Sequence, residues 1–143
     1  MKRQVPVWLL LCAVALAMVF AALWRGAVPR RDTALRELAA GSASGAADRF
    51  ADYGASLDEA DYWYGVAELR SFQSAYRMLT EKSGGAAEYT ACNRVYGALV
   101  LDPERGRTYA AELARVLTLL AEDPEDPNAW IGVNELANAL ECG

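Results

Sequence analysis

The first strong pattern along the chain is an unbroken apolar run. After Met1-Lys2-Arg3-Gln4, residues 5–24 (opening on Val5 and closing on Trp24) carry no charge and no strongly polar side chain. At about 1.5 Å rise per residue, a helix of this length crosses the roughly 30 Å hydrocarbon core of a bilayer. Trp8 and Trp24 fall near its two ends, where amphipathic rings favour the interface, and Arg25 closes the run. Pro6 falls in the first turn, where its missing N–H costs little. The pattern predicts a retained transmembrane helix. A cleaved signal peptide has a shorter apolar region, of about 7–15 residues. Val19-Phe20-Ala21 would nevertheless serve as a cleavage site, and cutting near Ala21 would leave a secreted helical protein.

Beyond the run the large apolar side chains thin out, and residues 25–55 read as a stalk with short helices. Asp32 offers a cap, Gly41 a stop, and Ser42-Ala43-Ser44-Gly45 a flexible joint before a second brief helix that ends near Gly54. From Ser56 the helical period is strong. Ser56-Leu57-Asp58-Glu59 has the form of a capping box, and Tyr62, Val66, Leu69, Phe72, Tyr76 and Leu79 share one face of the helix that follows, which Ser83-Gly84-Gly85 ends. Trp63 lies about 100° from Tyr62, on the side of Arg70 and Arg77, while Tyr64 lies nearly opposite the stripe, beside Ser71 and Met78.

A second helix over 86–101 gathers Tyr89, Cys92, Tyr96, Leu99 and Val100. Asp102-Pro103 and Asp126-Pro127 each combine an N-cap with proline at the first helical position, and so start two more helices. Their stripes are Tyr109, Leu113, Val116 and Leu120, then Trp130, Val133, Leu136, Ala137 and Leu140. No segment alternates as a strand would. The expected fold is all-α: residues 1–4 as a flank, 5–24 as anchor, 25–55 as stalk, and 56–143 as a compact bundle of about four amphipathic helices, or stacked helical hairpins. Leu119 to Pro124 followed by Asp126 to Trp130 resembles the junction between tetratricopeptide repeats. The repeat period of about 34 residues, stepped back from Trp130, lands on Tyr96 with no proline-ended helix before it. A repeat array is therefore not expected.

Charge narrows the function. Beyond Gly26 the chain holds eleven Lys and Arg against nineteen Asp and Glu, a net charge of −8. Nucleic acid is a poor partner for such a surface, because neutralising phosphates needs clustered cations. With no histidine anywhere, the usual general base near neutral pH, the commonest metal ligand and the His-assisted nucleophiles are all missing. No cofactor or metal is expected: Ser83-Gly84-Gly85 lacks the phosphate-loop ending, and Glu122-Asp123-Pro124-Glu125-Asp126 lacks the glycine and final glutamate of a calcium loop. Asp58, Glu59 and Asp61 cluster where a helix N-terminus favours carboxylates for stability alone.

Of the three cysteines, Cys12 lies in the apolar run. Cys92 and Cys142 are candidates for a disulfide closing a loop of about 50 residues, worth roughly 4 kcal/mol in the chain-entropy account. Lys2 and Arg3 favour a cytoplasmic N-terminus, while Arg25, Arg30, Arg31 and Arg36 compete. The short basic N-terminus before the run resembles an export signal, and paired cysteines suit an oxidising compartment, so the domain is expected outside a cell membrane. The sequence reads best as a single-pass, membrane-tethered interaction module, adaptor or inhibitor-like, with no catalytic activity. Its partner is a protein, met through Trp63, Tyr64, Arg70 and Arg77. The alternative is an enzyme that works without histidine, through carboxylates or Cys92.

Overall fold

The computed structural model describes residues 7–81 and 84–142, with side chains from 12 to 141 except that of 28. The N-terminal flank, Val5, Pro6 and the side chains of Trp8 and Cys142 lie outside the described residues. Every element found is a helix: α1 (Val7–Ser56), α2 (Glu59–Thr80), α3 (Ala86–Leu101), α4 (Pro103–Thr108), α5 (Ala110–Glu122) and α6 (Pro127–Cys142). The chain divides into two compact units, Met1–Ala34 and Leu35–Gly143.

In the first unit, the apolar part of α1 is long and apolar enough to cross a membrane. Its most apolar 18-residue window has a mean hydropathy of 1.7 and is wholly exposed. Val14, Leu16, Met18, Val19, Phe20, Leu23 and Trp24 all stand in the open. Leaving so many large apolar side chains in water would be costly, since each fully buried one is worth about 1.5–3 kcal/mol.

The second unit begins well before the boundary expected at residue 56. No joint forms at 42–45, because α1 is helical through Gly41, Ser42, Ala43, Ser44 and Gly45. Ala39, Ala43, Ala46, Ala47, Phe50 and Tyr53 recur at helical spacing on one buried face. The segment reads as a stalk because its buried side chains are mostly methyl groups. Small residues bury little area each, but they let a neighbouring backbone come close. Phe50 and Tyr53 are the exceptions, and the Phe50 ring lies where a Cβ on Gly65 would come within 3.1 Å.

The link from α1 to α2 also differs from the expected capping box. Because α1 stays helical through Ser56, that hydroxyl serves its own helix: it donates to the Asp52 carbonyl (2.9 Å) and accepts the Asp58 N–H (3.2 Å). Capping passes to Asp58, whose carboxylate accepts the Ala60 N–H at 2.9 Å. Between them Leu57 takes a left-handed φ of 59°, the conformation that ends many helices and is ordinarily given to glycine.

From α2 onward the periodicity holds. Tyr62, Val66, Leu69, Phe72 and Tyr76 are buried, and α3 occupies the expected 86–101. Val100, placed on the α3 stripe by its spacing, is instead exposed. The single helix expected after Asp102-Pro103 is two. Asp102 caps it through the Arg105 N–H (3.1 Å), but the Tyr109 N–H takes the Gly106 carbonyl (3.1 Å), three residues back, and the helix restarts at Ala110. With the buried half of α1 and this division, about four expected helices become six.

Tyr62 lies where four helices meet. Its ring packs edge-on against Phe50 and Tyr53 of α1, and its hydroxyl donates to the Leu99 carbonyl at 3.0 Å. Arg107 of α4 lies over the same ring. Gly106 leaves room for the hydroxyl: a Cβ there would stand 2.1 Å from Tyr62 Oη and 2.7 Å from Leu99 Cδ2. Gly97, in the interior of α3, has nothing within 4 Å of its notional Cβ. Gly106→Ala should therefore destabilise by about 1–3 kcal/mol or more through overpacking. Gly97→Ala should be neutral or stabilise by up to about 1 kcal/mol, through its effect on backbone entropy alone. Thermal unfolding of the two variants measures this; similar melting temperatures would contradict the packing described around Tyr62.

Candidate functional site

The residues expected to meet a partner all lie on α2, but the fold uses them differently. Arg70 and Arg77, seven apart on α2, lie over Tyr96 and Tyr89, seven apart on the antiparallel α3, at 5.1 and 5.5 Å from the ring centroids. Arg70 also donates to Gln73 Oε1, and Gln73 Nε2 donates to Asn93 Oδ1 at 3.0 Å. Gln73 is buried yet hydrogen-bonded on both ends of its amide. Both arginines thus close the α2–α3 seam, each by a contact of about 0.5–1 kcal/mol.

Trp63 and Tyr64 remain on the outside, 42% and 60% exposed. Trp63 meets Tyr62 edge-on with ring centroids 5.3 Å apart. Arg49 of α1 lies over Tyr64 at 5.4 Å and pairs with Asp61 at 3.0 Å. Sequence spacing does not find that neighbour, because residues 25–55 hold few of the large apolar side chains that mark a packed helix. Along the same side of α2, Ala67, Ser71 and Ser74 are exposed and small, and Met78 is exposed and large. The α2 surface is thus low in the middle, with two aromatic rings toward one end and a thioether toward the other.

Leu57, 71% exposed, adjoins this surface at the start of α2. An L-residue in the left-handed region costs roughly 1–2 kcal/mol, and an exposed leucine recovers little of that by burial. Strain of this kind tends to be kept where function needs the side chain. Val100 and Leu101 are exposed at the end of α3, and the Tyr62–Leu99 hydrogen bond ties that end to the start of α2.

The carboxylate clusters are engaged in holding the fold. Asp58 caps α2, Glu59 pairs with Arg107 at 2.8 Å, and Asp61 pairs with Arg49. In the acidic turn Asp123 accepts the Glu125 N–H (3.0 Å), Asp126 accepts the Asn128 N–H (2.9 Å), and Arg36 of α1 pairs with both Asp123 and Glu125. Among the described residues no three His, Cys, Asp or Glu side chains gather as metal ligands.

Cys92 is a free thiol sealed in the core, facing a void of about 10 Å³ that Leu69, Phe72, Leu113, Val116 and Leu136 help to line. Burial pushes its pKa up to about 12, with Arg70 opposing weakly. A nucleophilic cysteine needs the thiolate, and an apolar enclosure suppresses it. The expected partner in a disulfide, Cys142, has its side chain outside the described residues. In the unreduced native protein, Cys92 should resist iodoacetamide; unfolding in urea, still without reductant, should release it to alkylation, as peptide mass mapping would show. Alkylation that needs a reductant after unfolding would instead establish the Cys92–Cys142 bond.

Compared with protein families, curated proteins and solved structures, the chain matches none of them.

Proposed function

We propose that this chain is a single-pass, membrane-tethered interaction module. Residues 5–24 hold it in a cell membrane with the helical domain outside, and the domain docks a protein partner on the exposed face of α2 around Trp63 and Tyr64. The observation that carries this reading is the position of those two rings. They stand out of the domain on its longest α-helix outside α1, while the opposite face of that helix supplies Tyr62, Phe72 and Tyr76 to the core. Large aromatics with adjacent arginine are the composition favoured at binding hot spots, and here Arg49 accompanies Tyr64. The wholly exposed apolar stretch of α1 supports the anchor, since its side chains find cover in lipid. Burial of Cys92 and the structural pairing of the carboxylates favour binding over catalysis.

Two measurements on the full-length protein in cells test the reading. A cysteine introduced at the exposed Ser44 should react with a membrane-impermeant maleimide without lysis, relative to the parent protein; reaction only after lysis would reverse the orientation. A photo-crosslinking residue at Tyr64 should give a discrete protein adduct that one at Glu104 does not, and Trp63→Ala should abolish it. Phe72→Ala should cost about 3–5 kcal/mol of stability as a core deletion, and Trp63→Ala much less. If Trp63→Ala unfolds the domain as severely as Phe72→Ala, or the adduct survives it, the α2 face is not the docking surface.

A further inference from the structure

A second feature lies away from the exposed α2 face. Where the end of α2, the start of α3 and the start of α6 approach one another, a groove of about 220 Å³ opens to solvent, lined by Tyr76, Ala87, Glu88, Glu125, Pro127, Trp130, Ile131 and Asn134. Drug-sized ligands occupy larger pockets, of about 300–1,000 Å³, so the groove suits a single side chain better than a cofactor. Its floor is rigid. Trp130 packs on Tyr76 with centroids 4.6 Å apart and stacks on Phe72, while its indole N–H donates to the Pro124 carbonyl at 3.0 Å.

The groove's polar groups are nearly all acceptors. Glu88 has neither hydrogen-bond nor ion-pair partner among the described residues, and Glu125 shares its charge only with Arg36. Asn134 Nδ2 donates to the Trp130 carbonyl (3.1 Å), which leaves its Oδ1 as an acceptor. A carboxylate such as Glu88 in the first turn of a helix is favoured by the helix dipole alone. Tyr76 lines the same groove: its ring is buried, while its hydroxyl, which has no hydrogen-bond partner among the described residues, opens to the groove and to solvent. Burial first, then Glu88 and Glu125, push its pKa up to about 12, so the hydroxyl stays protonated while both carboxylates act on it.

We infer that this groove binds the ammonium or guanidinium group of a lysine or arginine side chain carried by a protein partner. Ala87, Pro127 and Ile131 supply apolar wall for the methylene stem, as such side chains require when their charged head stays near water. Glu88, Glu125, Asn134 Oδ1 and Tyr76 Oη supply acceptors for the head, to which charged donors bond more strongly than neutral ones. Unit Leu35–Gly143 carries nine Lys and Arg against eighteen Asp and Glu, a net charge of −9, so long-range attraction also selects a basic partner. The assignment rests on the reading of the domain as an interaction module, and it specifies the partner's chemistry.

The test uses the full-length protein in zwitterion-free detergent micelles, titrated with an arginine- and lysine-containing hexapeptide while the Trp130 indole N–H resonance is followed. Saturable shifts are expected with this peptide and not with its citrulline and norleucine analogue. Glu88→Gln should weaken binding about tenfold, the loss of one charge-assisted hydrogen bond. Tyr76→Phe, which keeps the packed ring, should weaken it by less, and Thr118→Ala, at an exposed position of α5, should leave it unchanged. Equal binding by the neutral analogue, or unchanged affinity in Glu88→Gln, would overturn the assignment. Displacement of the peptide by free choline at similar concentration would overturn it too, in favour of a lipid headgroup. A silent groove alongside a Trp63-dependent crosslink would sink this inference alone; peptide binding without that crosslink would sink the α2 docking face alone.

Discussion

The ring of Tyr62 is where the helical domain closes. It is fully buried, it touches Phe50 and Tyr53 from α1, its hydroxyl reaches the carbonyl of Leu99 at the end of α3, and Arg107 of α4 covers its face. A phenol whose hydroxyl is sealed from solvent needs a partner for it, because an unsatisfied buried polar group costs about 1–3 kcal/mol. The partner is a backbone carbonyl in the last turn of a helix, where carbonyls lack intrahelical donors. Two close approaches make this arrangement possible. Gly65 admits Phe50 against α2, and Gly106 admits the Tyr62 hydroxyl against α4. The aromatic cluster, the passage from α3 into α4 and the packed half of α1 all meet at that one ring.

How much of this was legible in the sequence depends on side-chain size. The stripes of α2, α3, α5 and α6 are built from Leu, Val, Tyr, Phe and Trp, whose helical period shows against polar neighbours, and the Asp-Pro starts at 102 and 126 mark their own positions. The buried face of α1 from Ala39 to Tyr53 is mostly alanine. An alanine stripe among Gly and Ser has almost no hydrophobic contrast, and Gly41 and Gly45 look like stops to a local rule. Only tertiary packing keeps them helical, at about 1 kcal/mol each relative to alanine. The capping box failed for a related reason: Ser56 is still in α1, so its hydroxyl was already committed when α2 began.

The candidate surfaces divide the same way. The angular positions of Trp63 and Tyr64 on α2 could be read from the helical period, and their exposure agrees with that geometry. Arg70 and Arg77 could be placed beside Trp63, but their engagement with Tyr96 and Tyr89 depends on the antiparallel register of α3, which no local pattern encodes. The groove at Tyr76 was invisible in sequence, since Tyr76, Glu88, Glu125 and Trp130 come from four separate stretches of chain. Polarity on the two surfaces is complementary in kind: one offers rings beside an arginine, the other offers acceptors in an acidic setting.

The account depends most on the second half of α1 being part of the folded domain and not a tether to it. Hydrogen–deuterium exchange, read by mass spectrometry on peptides covering residues 41–50 of the full-length protein in micelles, tests this directly. The account predicts exchange as slow as that of peptides from the core of α2 around Leu69 and Phe72, because both helices lose protection only when the Tyr62 cluster opens. Exchange of residues 41–50 within seconds, while the α2 peptides stay protected, would contradict it.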